Sequence, residues 1–214
     1  MKKNSAVLFA AMIALLVWLI GPLPAAAQLS QGAGDLRVMT YNVDEGTDYL
    51  EVGAATSLTQ FLIAVGTTIT QVRATNPPER MKALAAQIIA AAPTLVSLQE
   101  LDRWSSGSFD PVTKTCGPVT LEFDLLQELL DALAAQGASY EVAVQAPQFA
   151  FPPTPGLILP GTFLCVQVTN HVAILARADL DPSKFQWGNA QSAQYVNVFS
   201  VNTPLGPVPD QAAY

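Results

Sequence analysis

Two short apolar runs, each ending in polar residues, with an amphipathic helix leading into the second, constrain this chain more than any other feature. The first, "LRVMTYNV" at residues 36–43, reads as a strand buried on both faces. The second, "TLVSLQE" at residues 94–100, reads the same way. Between them Met81, Leu84, Ala85, Ile88, Ile89 and Ala92 recur at i, i+3, i+4, i+7, i+8 and i+11, the stripe of a helix lying on a core. Pro77 and Pro78 mark its start and Pro93 its end. Strand, helix and strand in this order imply a parallel pair joined by a right-handed crossover. The carboxyl ends of both strands then share one sheet edge, and that edge receives Asn42 from the first strand and Glu100 from the second.

The rest of the chain predicts further α/β structure. Residues 54–75 carry Leu58, Phe61, Leu62 and Val65 at helical spacing, and Asn76 with two prolines punctuates the segment. Residues 101–119 read as loop, rich in Ser and Gly. A helix follows through Leu125, Leu126, Leu129, Leu130 and Leu133, with Gly137 placed to cap it. Tyr140–Gln145 alternates as a strand. The five prolines at 147, 152, 153, 155 and 160 predict an extended loop over 146–161. "TFLCVQV" and "HVAILAR" resemble the arms of a hairpin turning at Thr169-Asn170, "AQYVNVFSV" reads as one more strand, and the final residues are turn-rich.

The compartment follows from the amino terminus. Lys2 and Lys3 precede fifteen apolar residues, Ala6 to Ile20, then two prolines and Ala25-Ala26-Ala27. This is the layout of a cleaved secretory signal peptide over residues 1–27, with a linker over 28–35 and a domain over 36–214. The rival is an uncleaved anchor, because the apolar run extended to Leu23 approaches the ~20 residues that span hydrocarbon. Cleavage leaves no stable membrane span and predicts a secreted or periplasmic protein. It also removes two of the ten basic residues and no acidic one, leaving eight against seventeen, a formal charge of −9. Such a surface forgoes the Lys and Arg that bind nucleic acid, so a small phosphoester or phospholipid-type substrate fits it better. In an exported chain the pair Cys116 and Cys165 is expected to form a disulfide.

An amide beside a carboxylate at the carboxyl ends of parallel strands suits a hard cation such as Mg²⁺, which takes oxygen ligands, keeps several waters and uses one or two carboxylates. Asp44, Glu45 and Asp48 just beyond Asn42 read as a solvated turn, His171 as structural, and Asp102 and Arg103 have only proximity to Glu100 in their favour. At this point the residues resemble a known family. "LRVMTYNV" followed by "R...IIAAAPTLVSLQEL" looks like the first two motifs of the endonuclease/exonuclease/phosphatase family, metal-dependent phosphodiesterases and phosphatases with a DNase-like fold. "NHVAILARADL" is similar to a later strand of that family.

The resemblance implies part of a four-layered α/β sandwich, a mixed β-sheet with flanking helices. It implies Mg²⁺ or Mn²⁺ as cofactor, Glu100 as the metal-binding glutamate, and Asn42 as the asparagine supporting metal and phosphate. Both are therefore candidate catalytic and metal-site residues. The family's Thr-His-Leu, Gly-Asp-Phe-Asn and Ser-Asp-His motifs have no counterpart here, and the one histidine, His171, matches neither catalytic position. The expectation is an amino-terminal portion of such a domain, with its second sheet missing or incomplete and little activity alone, since general acid/base groups contribute ~10² to 10⁴ in rate. The alternatives are a noncatalytic secreted binding module that self-associates through an exposed sheet face, and an unstable fragment of a longer enzyme.

Overall fold

The computed structural model describes residues 36–213. The expected signal peptide and linker lie outside them. The described chain is a mixed α/β fold, as the sequence predicts: a curled eight-stranded sheet with four helices among the described residues. Strand β1 (Val38–Asn42) pairs in parallel with β2 (Leu95–Gln99), and the crossover between them contains α1 (Leu50–Ala54), α2 (Leu58–Ala74) and α3 (Pro77–Ala91). The hairpin β3 (Arg103–Asp110) and β4 (Thr115–Asp124) follows, then α4 (Leu125–Ala135), the long strands β5 (Tyr140–Leu159) and β6 (Thr162–Arg177), and the hairpin β7 (Phe199–Thr203) and β8 (Gly206–Asp210).

Strand β6 organises the sheet. Its carboxyl half pairs with β2 at Ala173–Ala176 and its amino half with β3 at Leu164–Thr169, so β2 and β3 lie end to end along one side. Strand β5 runs along its other side. Side chains alternate across a strand, and β6 uses both faces. Val166 and Val168 join Phe61, Val65, Ile69 and Trp104 in a core under α2. Ala173 and Leu175 join Val96, Leu98, Ile88 and Leu129 in a second core under α3 and α4. The expected disulfide forms between Cys116 on β4 and Cys165 on β6, the two neighbours of β3.

Four expectations are corrected. Residues 101–119 are no loop; β3 is held between β4 and β6 by backbone pairing, which needs no apolar alternation, and at Gly107 a Cβ would lie 2.4 Å from the Pro118 carbonyl oxygen. The proline-rich stretch 146–161 belongs to β5, whose register slips at four places; its outer edge pairs with β8 only at Phe149, so the missing N–H groups cost few ladder bonds. Thr169-Asn170 lies inside a continuous β6. The chain instead reverses at Pro160-Gly161, where Gly161 takes a φ of 77°, a conformation glycine adopts freely. Strand β1 is buried on one face only, because it is the sheet edge: Met39 and Tyr41 pack on the α3/α4 core while Val38 stays 63% exposed.

At Gly66 helix α2 meets strand β5 backbone to backbone. A Cβ on Gly66 would lie 2.1 Å from the Leu157 carbonyl oxygen, and one on Gly156 would lie 2.7 Å from the Gly66 nitrogen. This contact fixes the height of α2 over β5. No helix among the described residues is long and apolar enough to cross a membrane.

Candidate functional site

The parallel pairing of β1 and β2 places Asn42 opposite Gln99 in register, and Glu100 one residue beyond. The two side chains expected to converge do so, with the Asn42 Nδ2 donating to Glu100 Oε1 at 2.6 Å. Asn42 Oδ1 accepts the backbone N–H of Asp44 at 2.8 Å. A backbone N–H can only donate, so this bond orients the amide and aims its NH₂ group at the glutamate. Asn42 thus holds Glu100. The backbone at Glu100 has a φ of 60°, in the left-handed region that glutamate seldom enters, and such outliers gather at functional sites.

The acidic loop after Asn42 splits into two kinds of residue. Asp44 accepts from Gly46 N at 2.8 Å and pairs with Arg80 at 3.6 Å, and Asp48 accepts from Leu50 N at 3.0 Å. Both serve the turn, as expected. Glu45 does not. It is half-buried and turned toward Asp102, and burial first, then the negative charges of Asp102, Glu100 and Asp44, push its carboxyl up to about 9. At neutral pH it carries a proton and donates it in a hydrogen bond to Asp102.

Asp102 is fully buried. It accepts from Asn170 Nδ2 at 2.5 Å and from the Tyr49 hydroxyl at 3.3 Å. Burial raises its carboxyl to about 7 against the lowering effect of these bonds. The Tyr49 hydroxyl is pushed well above its ordinary value by burial and by the Asp102 charge. Glu45, Tyr49, Asp102 and Asn170 therefore form one connected polar network beside Glu100. Sequence reasoning passed over all four. A signal existed in β6, where Val166, Val168 and Asn170 share one face: an amide in an apolar register demands a buried partner.

The network closes one end of a cavity of about 750 Å³. Its walls are α1, α2, the inner face of β5 and β6, and the β7–β8 hairpin. Glu45, Glu100 and Asn170 line that end, and Phe149, Phe151, Val166 and Val168 line the sheet side. His171 is not part of the lining. It lies half-buried on the opposite side of β6 from Asn170, burial lowers its imidazole, and its carbonyl accepts from Leu101 N at 3.0 Å.

Among the described residues no three His, Cys, Asp or Glu side chains are arranged to hold a metal ion. Glu100 offers one carboxylate there, beside the NH₂ group of Asn42 and the proton-bearing carboxyl of Glu45, a set that would hold only a largely hydrated Mg²⁺ or Mn²⁺ and does not fit a protein cage. No protein-family model matches the chain, and neither a curated protein nor a solved structure is significantly similar to it.

Proposed function

We propose that the Asn42–Glu100 tip is the metal-side half of a phosphoester-hydrolysing site, and that the chain is a secreted, divalent-metal-dependent hydrolase of low intrinsic activity. One observation carries this reading: the amide at the end of β1 is hydrogen-bonded to the carboxylate at the end of β2, at 2.6 Å, on the edge where parallel strands present ligands. Glu100 would hold the ion and Asn42 would orient Glu100. A bound Mg²⁺ or Mn²⁺ supplies Lewis-acid polarisation of a phosphoryl oxygen and acidifies water. Asn170, at the same end of the cavity, offers the second N–H of its amide to a bound substrate, and the apolar walls exclude water from it.

Direct metal binding tests this reading. Mn²⁺ titrated into the purified chain, followed by water-proton relaxation, is expected to bind one site. Glu100→Gln should abolish it, and Asn42→Ala should weaken it about 10- to 100-fold, as loss of an orienting partner does. Hydrolysis of bis-nitrophenyl phosphate should require the metal and disappear with Glu100→Gln. Unchanged Mn²⁺ affinity in Glu100→Gln would overturn the reading. The cavity favours a second reading, a noncatalytic ligand-binding module, because its volume falls within the ~300 to 1,000 Å³ of small-molecule sites.

A further inference from the structure

We propose that the cavity behind the β7–β8 hairpin binds an apolar molecule carrying one organic cation, an amine or quaternary ammonium, with the charge seated at the Glu45–Glu100 end. This goes beyond the hydrolase reading and stands without it.

The charge of the occupant follows from the lining. Glu45, Glu100 and Asp210 all face the cavity, and no Lys, Arg or His among the described residues does. The ion pairs are elsewhere: Arg73 pairs with Glu122, Arg103 with Asp124, Arg177 with Asp179, Lys82 with Glu79, and Arg80 with Asp44 on the far side of the loop. An anionic ligand would enter against the Glu100 and Asp210 carboxylates with no protein cation to receive it. A cationic one supplies the missing counter-charge.

The form of the cation follows from the aromatic wall. The Tyr49 ring centroid lies 6.1 Å from Trp104 in a stacked arrangement and 6.4 Å from Phe149 edge-on, and Phe149 lies 6.4 Å from Phe151. All four line the cavity, and the Tyr49 hydroxyl is tied to Asp102 at its acidic end. Aromatic faces next to carboxylates attract a weakly hydrated ammonium through the ring quadrupole and a desolvated charge together. An apolar body is accommodated by Val65, Val166, Val168, Val201 and Val208. An independent observation points the same way. Thr68 lines the cavity from α2 and is 3% exposed, and its hydroxyl has no hydrogen-bond partner among the described residues. That oxygen can accept from an ammonium N–H.

Calorimetric titration of the purified chain in EDTA separates this from the metal reading, since Mn²⁺ binding plays no part in it. The probes are hexyltrimethylammonium, hexanol and hexyl sulfate, with hexylammonium as a fourth. The expected order is ammonium over alcohol over sulfate, with at least about tenfold between the first and last. Combining Glu45→Gln with Glu100→Gln should erase the preference for the cation while hexanol still binds. Asp210→Asn, on the exposed hairpin, should weaken the ammonium several-fold without a folding risk. Thr68→Val should weaken hexylammonium and leave hexyltrimethylammonium unchanged. Equal binding of all probes, preference for the sulfate, no binding to the folded chain, or full cation affinity in both carboxylate variants would overturn the proposal.

Discussion

The core under α3 and α4 and the core under α2 share one strand, β6, and differ in what they admit. The α3/α4 core is closed and apolar: Ile88, Val96, Leu98, Leu125, Leu129 and Leu175 are fully buried in it. The α2 side includes Phe61, Ile69 and Trp104 but also the buried Thr68, Asp102 and Asn170 and a cavity of about 750 Å³. Dispersion and burial stabilise the first without exception. The second leaves lining atoms without neighbours and keeps carboxylates out of water, which costs stability. One side of the sheet holds the fold, and the other is shaped for a ligand.

The comparison breaks first if the two sides respond alike to truncation. Leu98→Ala in the closed core should cost about 2 to 5 kcal/mol in urea unfolding. Val166→Ala, which removes two carbons and only enlarges an existing cavity, should cost about 1.6 kcal/mol, at ~0.8 kcal/mol for each buried group removed. Equal losses would mean that the α2 side is as tightly packed as its counterpart.

Gly66→Ala comes next. Its Cβ would meet the Leu157 backbone, which cannot rotate away, so α2 must lift from β5. The expected loss is about 1 to 3 kcal/mol, reduced by the better helix propensity of alanine. The mutation should also change hexanol affinity, because α2 is a wall of the cavity, whereas Leu98→Ala should leave it alone.

The smallest effect is on pH dependence, and it belongs to the α2 side alone. Glu45 is raised from 4.5 to about 9 and Asp102 from 3.8 to about 7. A carboxyl with a raised folded pKa binds its proton more tightly when folded, so its contribution is fully present below the unfolded value and is lost as pH rises through the folded one. Stability should therefore decline between about pH 5 and pH 9. Glu45→Gln should flatten that decline by about 2 to 4 °C in Tm between these limits. A chain that grows more stable over this range would contradict the connected, proton-holding network.

Much of the closed side was legible in the sequence. The stripe from Met81 to Ala92 and the runs at 36–43 and 94–100 specify the parallel unit, because helix and strand periods are local and the crossover rule leaves one topology. That unit also brings Asn42 to Glu100. The α2 side was not legible in the same way. Strands β3 and β5 are stabilised by backbone pairing with β6, and hydrogen bonds between distant segments leave no periodic trace in side chains. Glu45 looked like its neighbours Asp44 and Asp48; only the position of Asp102, fifty-seven residues later, distinguishes it.

The sequence by itself determined the α/β class, the parallel pair with its crossover helix, the pairing of Cys116 with Cys165 and the meeting of an amide and a glutamate at one strand edge. Each follows from short-range patterns or from a count of two. Only the tertiary structure decided which acid is buried, which hydroxyl supports it and where the cavity opens. Desolvation and charge proximity depend on distances between segments far apart in the chain, and those distances exist only after the sheet has curled and the β7–β8 hairpin has come to lie beside β5.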